Sequence, residues 1–387
     1  DLSGQGATIR GIQGDRVLVL VDGERAVGRV RGSIDLSQFA LNNVAKIEVV
    51  KGTGSTLYGS DAMGGVINII TKNPHRDYKR WNLYADYGTN RSLNPSAEFE
   101  YGNDKFGVVL GGKMYSTDGF DLDPSTPHTN GQEATDRWNF DGTMRADLSP
   151  RWKLTTSGRF MREERNWIES EDIDIINQFV YNDNETNYRY EAATGLQFIS
   201  GDKYSMKFRV FGTLYDHTWK KIQQGTNFWL DTSKTQDKFF EASYSSNYVI
   251  GDGHVMTYGL QFNYQDLAST ELSADKQADR SEAGYFQYEY APVPQLTFLP
   301  GIRYEHHSSF GGHVNPSFNL MYQPSEQLKL RGFVGRGFRA PSIKEQYFIF
   351  DHSAAGYVVY GGLLGVPGVS ANRFHPLKEE TSINSSV

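Results

Sequence analysis

The residues that could carry out chemistry are scattered through this sequence. Ser55 and Ser60 lie in a glycine-rich stretch, but no histidine and aspartate stand at a spacing that would activate a serine nucleophile. The glycines around them are not followed by the Gly-Lys-Ser/Thr sequence of a phosphate-binding loop. The sequence therefore predicts no catalytic residue, and we expect a protein that is not an enzyme.

Two other groups of residues have the chemistry of metal ligands. Six carboxylates lie between residues 163 and 174, but they lack the Asp-x-Asn-x-Asp-Gly spacing of a calcium loop, which favours a solvated loop. His306, His307 and His313 flank one predicted hairpin, and His352 stands alone in a later stretch. Imidazole is the usual ligand of haem iron, so haem stays open as a bound molecule. We predict no resident metal site.

Composition narrows the class of protein that carries these residues. The 387 residues are 13% aromatic and include 40 glycines, yet the mean hydropathy is -0.55. A polar chain rich in aromatic residues is typical of membrane β-barrels, whose strands alternate and whose rims carry aromatic girdles. The absence of cysteine excludes a disulfide framework. The net charge of -7 argues against a nucleic-acid partner.

Alternation of apolar and polar residues predicts the strands. Residues 139–148 place Phe140 and Met144 on one face and charged or polar residues on the other, and residues 204–215 and 256–264 repeat this period of two. Similar segments predict about 14 strands between residue 79 and the end of the chain. A long antiparallel meander follows, with a soluble β-sandwich or propeller as the alternative.

The predicted connections fall into two kinds. Tight turns are indicated at 149–150, 251–253, 292–295 and 324–326, whereas long polar loops are indicated at 119–134, 164–184, 223–234 and 267–279. Bacterial outer-membrane barrels have short turns on the periplasmic side and long loops outside. The two kinds of connection therefore favour a barrel over a sandwich.

Residues 1–74 have a different pattern of apolar residues and glycines from the rest of the chain. Residues 16–21 read RVLVLV and end at an Asp22-Gly23 turn, which predicts a strand buried on both faces. Two β-branched runs, 47–50 and 66–71, flank a segment with five glycines. This region is predicted to be a compact β unit of its own, with a small soluble α/β domain as the alternative.

The amino-acid sequences of these segments resemble those of a known family. Residues 47–72 read IEVVKGTGSTLYGSDAMGGVINIITK and resemble the C-terminal half of the plug domain of TonB-dependent outer-membrane receptors, as do residues 10–23, RGIQGDRVLVLVDG. Lys51 stands where that family usually has arginine, and Thr53 where it usually has proline. Residues 328–343, LKLRGFVGRGFRAPSI, and 377–382, LKEETS, resemble barrel motifs of the same receptors, the second imperfectly.

The resemblance implies a fold. It is a transmembrane antiparallel β-barrel of the 22-stranded type, incomplete here, with a partial α/β plug domain at its N-terminal end. Residues 1–74 would be the C-terminal half of the plug, and residues 79–387 an incomplete barrel of about 14 strands. We expect a fragment that lacks the signal peptide, the TonB box and the closing strands.

The resemblance also implies a function. The expected activity is energised uptake of a scarce chelated nutrient across the outer membrane of a Gram-negative bacterium, with a ferric siderophore as the first choice of cargo and haem or cobalamin as alternatives. The expected partners are the TonB-ExbB-ExbD complex and outer-membrane lipid, around a monomeric barrel without an intrinsic cofactor. A passive porin or adhesin is the alternative class, although a porin needs no plug.

Site residues are carried over position by position. The resemblance places Arg10 and Lys51 of the plug against barrel carboxylates such as Glu380, as a latch that is partly buried. Cargo contacts are expected from aromatic and cationic residues above the plug and from a histidine that suits haem. These residues are Arg29, Arg31, Arg339, Tyr347, His352 and Tyr357.

Overall fold

A computed structural model of the chain describes residues 6–9, 11–29, 34–40, 42–51, 59–60, 62–172, 178–226, 229–352, 357–362, 364 and 377–386. Across these ranges the secondary structure is almost entirely antiparallel strand. We found no helix in the described ranges with the length and apolar character needed to cross a membrane.

The N-terminal region folds as a small mixed sheet. Its strands are β1 (Thr8–Ile9), β2 (Ile12–Gln13), β3 (Val17–Val21), β4 (Glu24–Arg25), β5 (Val44–Lys51) and β6 (Gly65–Thr71). Four of them form one sheet in the order β4-β3-β6-β5, in which β3 runs parallel to β6. All five residues of β3 are buried, because strands cover both of its edges and neighbouring elements cover both of its faces. The prediction of a doubly buried strand after Arg16 is confirmed.

The rest of the chain forms a wall of 14 antiparallel strands. They are β7 (Tyr78–Tyr84), β8 (Ser96–Gly102), β9 (Phe106–Thr117), β12 (Ala134–Asp147), β13 (Trp152–Asp172), β14 (Gln178–Ser200), β15 (Tyr204–Gln223), β16 (Trp229–Gly251), β17 (His254–Ser269), β18 (Lys276–Val293), β19 (Leu296–His307), β20 (Gly311–Ser325), β21 (Leu328–Arg339) and β24 (Glu380–Ser386). Each pairs with its neighbour along the chain, with β12 following β9 and β24 following β21.

Small elements lie in the long connections of the wall. They are β10 (Phe120–Asp121), β11 (Gly131–Gln132), the helix α1 (Ile343–Tyr347), β22 (Ile349–His352) and β23 (Tyr357–Tyr360). Ser342 caps the N-terminus of helix α1. Its hydroxyl accepts from the Glu345 backbone while the Glu345 carboxylate accepts from the Ser342 backbone, a capping box.

The two faces of the wall differ as the alternation predicts. Phe140 is 52% exposed, whereas its neighbour Asn139 is buried; Phe208, Leu260 and Ile302 repeat the outward apolar position on other strands. The outward face is an apolar belt suited to lipid, and the inward face is polar. The predicted fold class, an antiparallel barrel wall with a plug, is confirmed.

Three predicted loops are wrong. β13 and β14 leave only residues 173–177 between them, β15 and β16 leave 224–228, and β17 and β18 leave 270–275. The strands continue through most of 164–184, 223–234 and 267–279 because the hydrogen-bonded ladder extends past the bilayer, where neither face meets lipid. A transmembrane strand needs only about 9–11 residues, and β14 and β16 have 23.

Candidate interface between plug and barrel wall

The most distinctive feature of the inward face is a set of arginines beside the plug. They occupy alternate positions on adjacent strands, so that their side chains share one face of the wall. This set, which we call the arginine clamp, comprises Arg137 on β12, Arg159 and Arg165 on β13, Arg189 on β14 and Arg209 on β15. Each is at most 19% exposed at the side chain or is counted among the buried residues.

Two clamp residues, Arg137 and Arg165, bind the plug segment 35–38. Arg165 forms an ion pair with Asp35, and both side chains are 7% exposed. Arg137 donates to the carbonyl oxygen of Ser37 at 2.6 Å and to its hydroxyl at 3.0 Å. Gln38 donates to Glu163 at 3.0 Å. Since Asp35 also caps the short 3₁₀ turn Leu36–Gln38, the contact fixes both the local backbone and its position against the wall.

Arg189 holds two parts of the plug through uncharged acceptors. Its guanidinium donates to the carbonyl of Val27 at 2.6 Å and to Gln38 Oε1 at 2.9 Å. It also lies over the rings of Phe39 and Tyr215, at 5.0 and 4.8 Å from their centroids. An arginine can serve these partners together because its planar fork carries several donors and stacks on aromatic faces.

The lower part of the clamp binds the turn that follows β3. Arg159 donates to Asp22 Oδ2 at 3.0 Å and to Glu191 Oε2 at 2.6 Å. Asp22 in turn accepts from the backbone and hydroxyl of Thr71, which ties the turn to β6. Arg209 pairs with Glu24, whose side chain is 2% exposed. The turn is therefore joined to the plug sheet and to the wall at the same time.

Burial and charge act against each other at Asp35. Burial raises the pKa of its carboxyl, but the Arg165 guanidinium and the hydrogen bonds from Ser37 and Arg165 outweigh it, so the pKa lies below its ordinary value of 3.8. A carboxyl with a lowered folded pKa contributes stability above its ordinary pKa, and loses it as pH falls through the lowered value.

We therefore expect acid to weaken docking of the plug. Between pH 7 and pH values below about 4, the free energy that holds the plug to the wall should fall in the unmodified receptor. It should fall less in Asp35→Asn, which has no carboxylate to titrate at this position. Urea titrations of plug release at a series of pH values measure the difference, and parallel pH profiles for the two proteins would contradict the assignment.

A second ion cluster lies at the start of β24. Glu380 accepts from Arg16 Nε at 2.8 Å and from Arg16 Nη2 at 2.8 Å, a bidentate contact between plug and wall. Arg339 donates to the same carboxylate at 2.9 Å and also pairs with Glu345, the capping residue of α1. Glu380 thus joins the plug, the end of β21 and the helix after it.

The predicted latch residues are placed as follows. Glu380 lies at the plug, but its plug partner among the described residues is Arg16, which the sequence reading did not select. Arg10 lies outside the described residues. Lys51 ends β5, and its side chain lies outside the described part. The roles assigned to these two residues stay predictions.

The predicted cargo residues do not form one group. Arg339 is 1% exposed and lies in the Glu380 cluster, and its predicted contact with cargo stays a prediction. Tyr347 packs partly buried against the apolar cluster of Leu267, Leu272 and Ile343.

The other predicted cargo residues are less fully described. His352 and Tyr357 are register partners in the β22–β23 hairpin, with side chains outside the described part. Arg29 is half-buried, and Arg31 falls outside the described residues. Contact of these four residues with cargo stays a prediction.

Above the clamp the wall is lined by a different set of polar residues, which we call the mouth. Lys221 donates to Glu169 at 3.2 Å and lies 4.5 Å from the Tyr181 ring, and Trp219 donates to Asp183 at 2.8 Å. The remaining members are Glu185, His217, Glu271 and Lys344. His217 lies 3.6 Å from Glu185, and Lys344 lies 3.2 Å from Glu271. This set holds four carboxylates and two lysines.

The sequence reading missed both the clamp and the mouth. A signal was present in β13. One face of this strand, formed by its odd-numbered positions, carries Arg159, Glu163 and Arg165 together with Met161 and Trp167. The apolar Phe160 lies on the other face. Charged residues within the bilayer-spanning part of a strand cannot face lipid without cost, so at those positions they must face the interior and find partners there. Their partners depend on where the plug lies, which strand alternation does not reveal.

Comparison with known families follows the same division of the chain. Residues 2–66 match the sequence model described as TonB-dependent Receptor Plug Domain, and residues 71–387 match the one described as TonB dependent receptor-like, beta-barrel. The second match alone spans more than half of the chain.

Individual proteins are similar to this chain over most of its length. The vitamin B12 transporter BtuB of Vibrio cholerae is 26% identical over 353 residues, covering 88% of this chain and 54% of the transporter. The siderophore receptor PirA of Pseudomonas aeruginosa superposes with a TM-score of 0.70 at 20% identity, covering 98% of this chain and 64% of PirA. A ferric enterobactin receptor (PfeA) structure from the same species gives 0.69 at 18% identity, over 86% of this chain and 55% of PfeA. The chain spans about half the length of the curated relative.

Proposed function

Because this chain belongs to the TonB-dependent receptor family, we propose that it is part of an outer-membrane receptor that takes up a small metal chelate. Uptake takes place when an energised inner-membrane complex, TonB-ExbB-ExbD, moves the plug. The observation that carries the proposal is the docking of the plug through ion pairs with a barrel wall. A plug that is held by polar contacts can be released as a folded or partly folded unit, since its own sheet does not depend on the wall strands.

A passive porin or an adhesin fits the same interface less well. A porin conducts through a water-filled lumen, and a plug clamped by buried arginines would close that lumen. An adhesin needs neither the clamp nor the Glu380 cluster. Energised uptake gives both features a role, because the contacts close the barrel at rest and yield under force.

The charge of the mouth bears on the cargo. Among the described residues of the mouth, four carboxylates outnumber two lysines, and both lysines are paired with carboxylates. A ferric siderophore of the polyanionic catecholate class would meet repulsion there, whereas a neutral chelate that carries amide groups would not. The mouth therefore favours a corrinoid, which agrees with the cargo named for BtuB of Vibrio cholerae. The similarity to PirA and PfeA supports the fold only.

We expect the full-length receptor to support growth on limiting cyanocobalamin in a strain that lacks its own cobalamin receptor and depends on exogenous cobalamin. The same host, made deficient in iron uptake, should not grow on ferric enterobactin or haemin through this receptor. Growth on ferric enterobactin alone would overturn the corrinoid assignment in favour of the siderophore expected from sequence. Growth on haemin that is lost in His352→Ala would select haem instead.

A further inference from the structure

His217, a residue of the mouth, uses only one of its two ring nitrogens within the described part of the chain. Its Nδ1 lies 2.9 Å from Asn187 Oδ1, and the two residues are register partners across β14 and β15. Among the described residues, Nε2 makes no hydrogen bond or ion pair. His217 shares the buried, inward face of β15 with Tyr215 and Lys221. Since Nε2 is at the end of the ring far from the backbone, it is the nitrogen that extends toward the lumen.

The hydrogen bonds of Asn187 decide which nitrogen of His217 carries the proton. The Asn187 amide nitrogen donates to Glu163 Oε1 at 3.1 Å and to Glu185 Oε1 at 2.7 Å, which fixes the orientation of the amide. Its oxygen can only accept, and it lies 2.7 Å from the Tyr215 hydroxyl as well as next to His217 Nδ1. Neutral His217 therefore carries its proton on Nδ1 and a lone pair on Nε2.

The groups that orient the ring are themselves fixed. Asn187 is 0% exposed and Tyr215 is 1% exposed. Gly28 of the plug packs so closely on Tyr215 that an added Cβ would overlap the tyrosine ring. A histidine that ligates a metal ordinarily donates its other ring N–H to an oxygen atom, which fixes its tautomer and orientation. The surroundings of His217 meet this requirement.

The chemistry around His217 suits a chelated metal rather than a bare ion. Among the described residues we found no group of three or more histidine, aspartate or glutamate side chains that could hold an ion together. A metal that arrives in a chelate brings its other ligands with it, so that one protein nitrogen completes its coordination. Haem iron held by a single histidine is an example. Nε2 therefore suits a chelate whose metal has an exchangeable ligand.

This requirement separates the candidate classes of cargo. A ferric siderophore that fills every coordination position of iron with oxygen leaves none for a nitrogen. Corrinoids and haem hold their metal in the plane of a macrocycle and leave axial positions for exchangeable ligands. Haem carries carboxylate groups, which the carboxylates of the mouth would repel, whereas the side chains of a corrinoid end in neutral amides. A corrinoid with an axial water satisfies both conditions.

An ion pair lies on the outer side of His217. Thr235 on β16 is the register partner of His217, and Ser233 is the next inward position toward the outside. Ser233 donates to Glu271 at 2.8 Å, and Glu271 pairs with Lys344 of α1 at 3.2 Å. The Lys344 and Glu271 side chains are 32% and 29% exposed, and ion pairs with this exposure contribute little stability. A chelate that reaches His217 would part them at small cost.

We propose that Nε2 of His217 is an axial ligand to the metal of the cargo, and that the cargo is a corrinoid with an exchangeable axial position. The inference rests on the proposed uptake function and narrows its substrate class. On binding, the bond between the metal and its axial water breaks, the Nε2 lone pair forms a bond to the metal, and water leaves without transfer of a proton or an electron. Asn187 positions the ring for this bond.

The visible absorption of a corrinoid reports on its axial ligand. Purified full-length receptor is titrated with aquacobalamin, whose axial water exchanges, and with cyanocobalamin, whose cyanide is held. Bound aquacobalamin should take the spectrum that free imidazole gives it in the absence of protein, while the spectrum of cyanocobalamin stays as it is. Aquacobalamin should also bind more tightly than cyanocobalamin, by about tenfold, which corresponds to 1.4 kcal/mol. An unchanged spectrum of bound aquacobalamin would overturn the proposal.

His217→Asn separates ligation from structure, because asparagine keeps an N–H donor near the position of Nδ1 and removes Nε2. This variant should lose both the spectral change and the preference for aquacobalamin. His313→Asn is the matched control, since His313 is also a buried histidine on the inward face but its Nε2 lies 3.1 Å from the Phe310 carbonyl oxygen. Its spectral change should match that of the parent receptor. A spectral change that survives in His217→Asn would assign the ligand elsewhere and contradict the proposal.

A measurement on the unmodified receptor does not depend on the folding of a variant. Cobinamide, a corrinoid without a nitrogen base of its own, is reduced chemically to the Co(II) state and bound to receptor grown with ordinary or ¹⁵N-labelled histidine. Electron paramagnetic resonance should show each line split into a triplet by ordinary histidine nitrogen and into a doublet by the labelled nitrogen. Identical spectra from the two preparations would rule out histidine as the axial ligand.

Failure of the cargo assignment has a different outcome from failure of the ligation. Growth on cyanocobalamin without a spectral change of bound aquacobalamin would leave corrinoid uptake standing and overturn ligation by His217. Haemin that changes its absorption in the parent receptor but not in His217→Asn, with no binding of either cobalamin, would keep axial ligation by His217 and overturn the corrinoid. Binding of ferric enterobactin alone would overturn both.

Discussion

Arg165→Met should weaken docking of the plug by about 3–5 kcal/mol, because the change removes the guanidinium that pairs with the buried Asp35 carboxylate. Both members of the pair are 7% exposed, so water cannot readily replace the lost partner. Glu163 also loses a contact with Arg165 at 3.1 Å, although Arg137 still pairs with it. Of the clamp contacts, the Arg165 pair is the most deeply buried ion pair between plug and wall.

The measurement uses the full-length receptor in detergent with Val27→Cys as a reporter, since Val27 is 4% exposed and packs in a cluster whose other members all belong to the wall. Maleimide labelling across a urea series gives the midpoint of plug release. Arg162→Met is the matched control, as Arg162 lies on the same strand, faces outward and is 38% exposed; its effect should stay within about 0.5 kcal/mol. Equal shifts for the two variants would show that the clamp does not hold the plug.

A second substitution checks the cause. Asp35→Asn in the Arg165→Met background removes the buried carboxylate that has lost its Arg165 partner, so the double variant should recover part of the lost stability. If the charge were irrelevant, the two substitutions would add, because residues without a shared interaction usually contribute independently.

The bilayer-spanning parts of the strands were predictable from sequence. Alternation is strong there because one face must meet lipid, and Phe140 beside Asn139 shows the contrast that the pattern records. The outer parts of β13–β16 were not predictable in this way. Both faces of those extensions meet water or polar side chains, so the apolar period disappears. The backbone ladder nevertheless continues, with Asp183 paired to Lys221 across β14 and β15 and Thr235 paired to Ser269 across β16 and β17.

The partners across the interface could be predicted only in part. Sequence resemblance selected Glu380 because a motif surrounds it, but Arg16, its partner, opens a buried strand and looked like the end of a hydrophobic run. Arg339 was selected as a cargo contact because a cation suits an anionic chelate, and no pattern in the sequence indicated its burial. Its burial follows from α1, whose capping residue Glu345 folds back on it together with Glu380. Contacts of this kind depend on three-dimensional packing of segments far apart in the chain.

Arg16→Glu should have the second large effect, on transport as well as docking. The change places a carboxylate against Glu380, where a bidentate contact of 2.8 Å at both nitrogens now stands. Like charges in an interface cost several kcal/mol, and each 1.4 kcal/mol shifts the docking equilibrium about tenfold. The partners are 43% and 36% exposed, so solvent screening reduces the effect below that at Arg165. Arg91→Glu is the control, because Arg91 pairs with Asp118 only at the surface, with 78% and 60% exposure.

Because Glu380 contacts both Arg16 and Arg339, exchanging its charge with that of Arg16 should not behave as it would in an isolated ion pair. Exchange of the two charges in Arg16→Glu with Glu380→Arg would restore an isolated pair, but here the new arginine would face Arg339, whose side chain is 2% exposed. We therefore expect the exchange not to restore docking or uptake. Arg16→Lys should keep most of the uptake rate, because it keeps the charge although it loses the bidentate geometry. Uptake of radiolabelled cyanocobalamin, with urea release of the plug as a readout that needs no cargo, measures both variants. Full rescue by the exchange would show that Arg339 does not take part, and that Glu380 serves the plug alone.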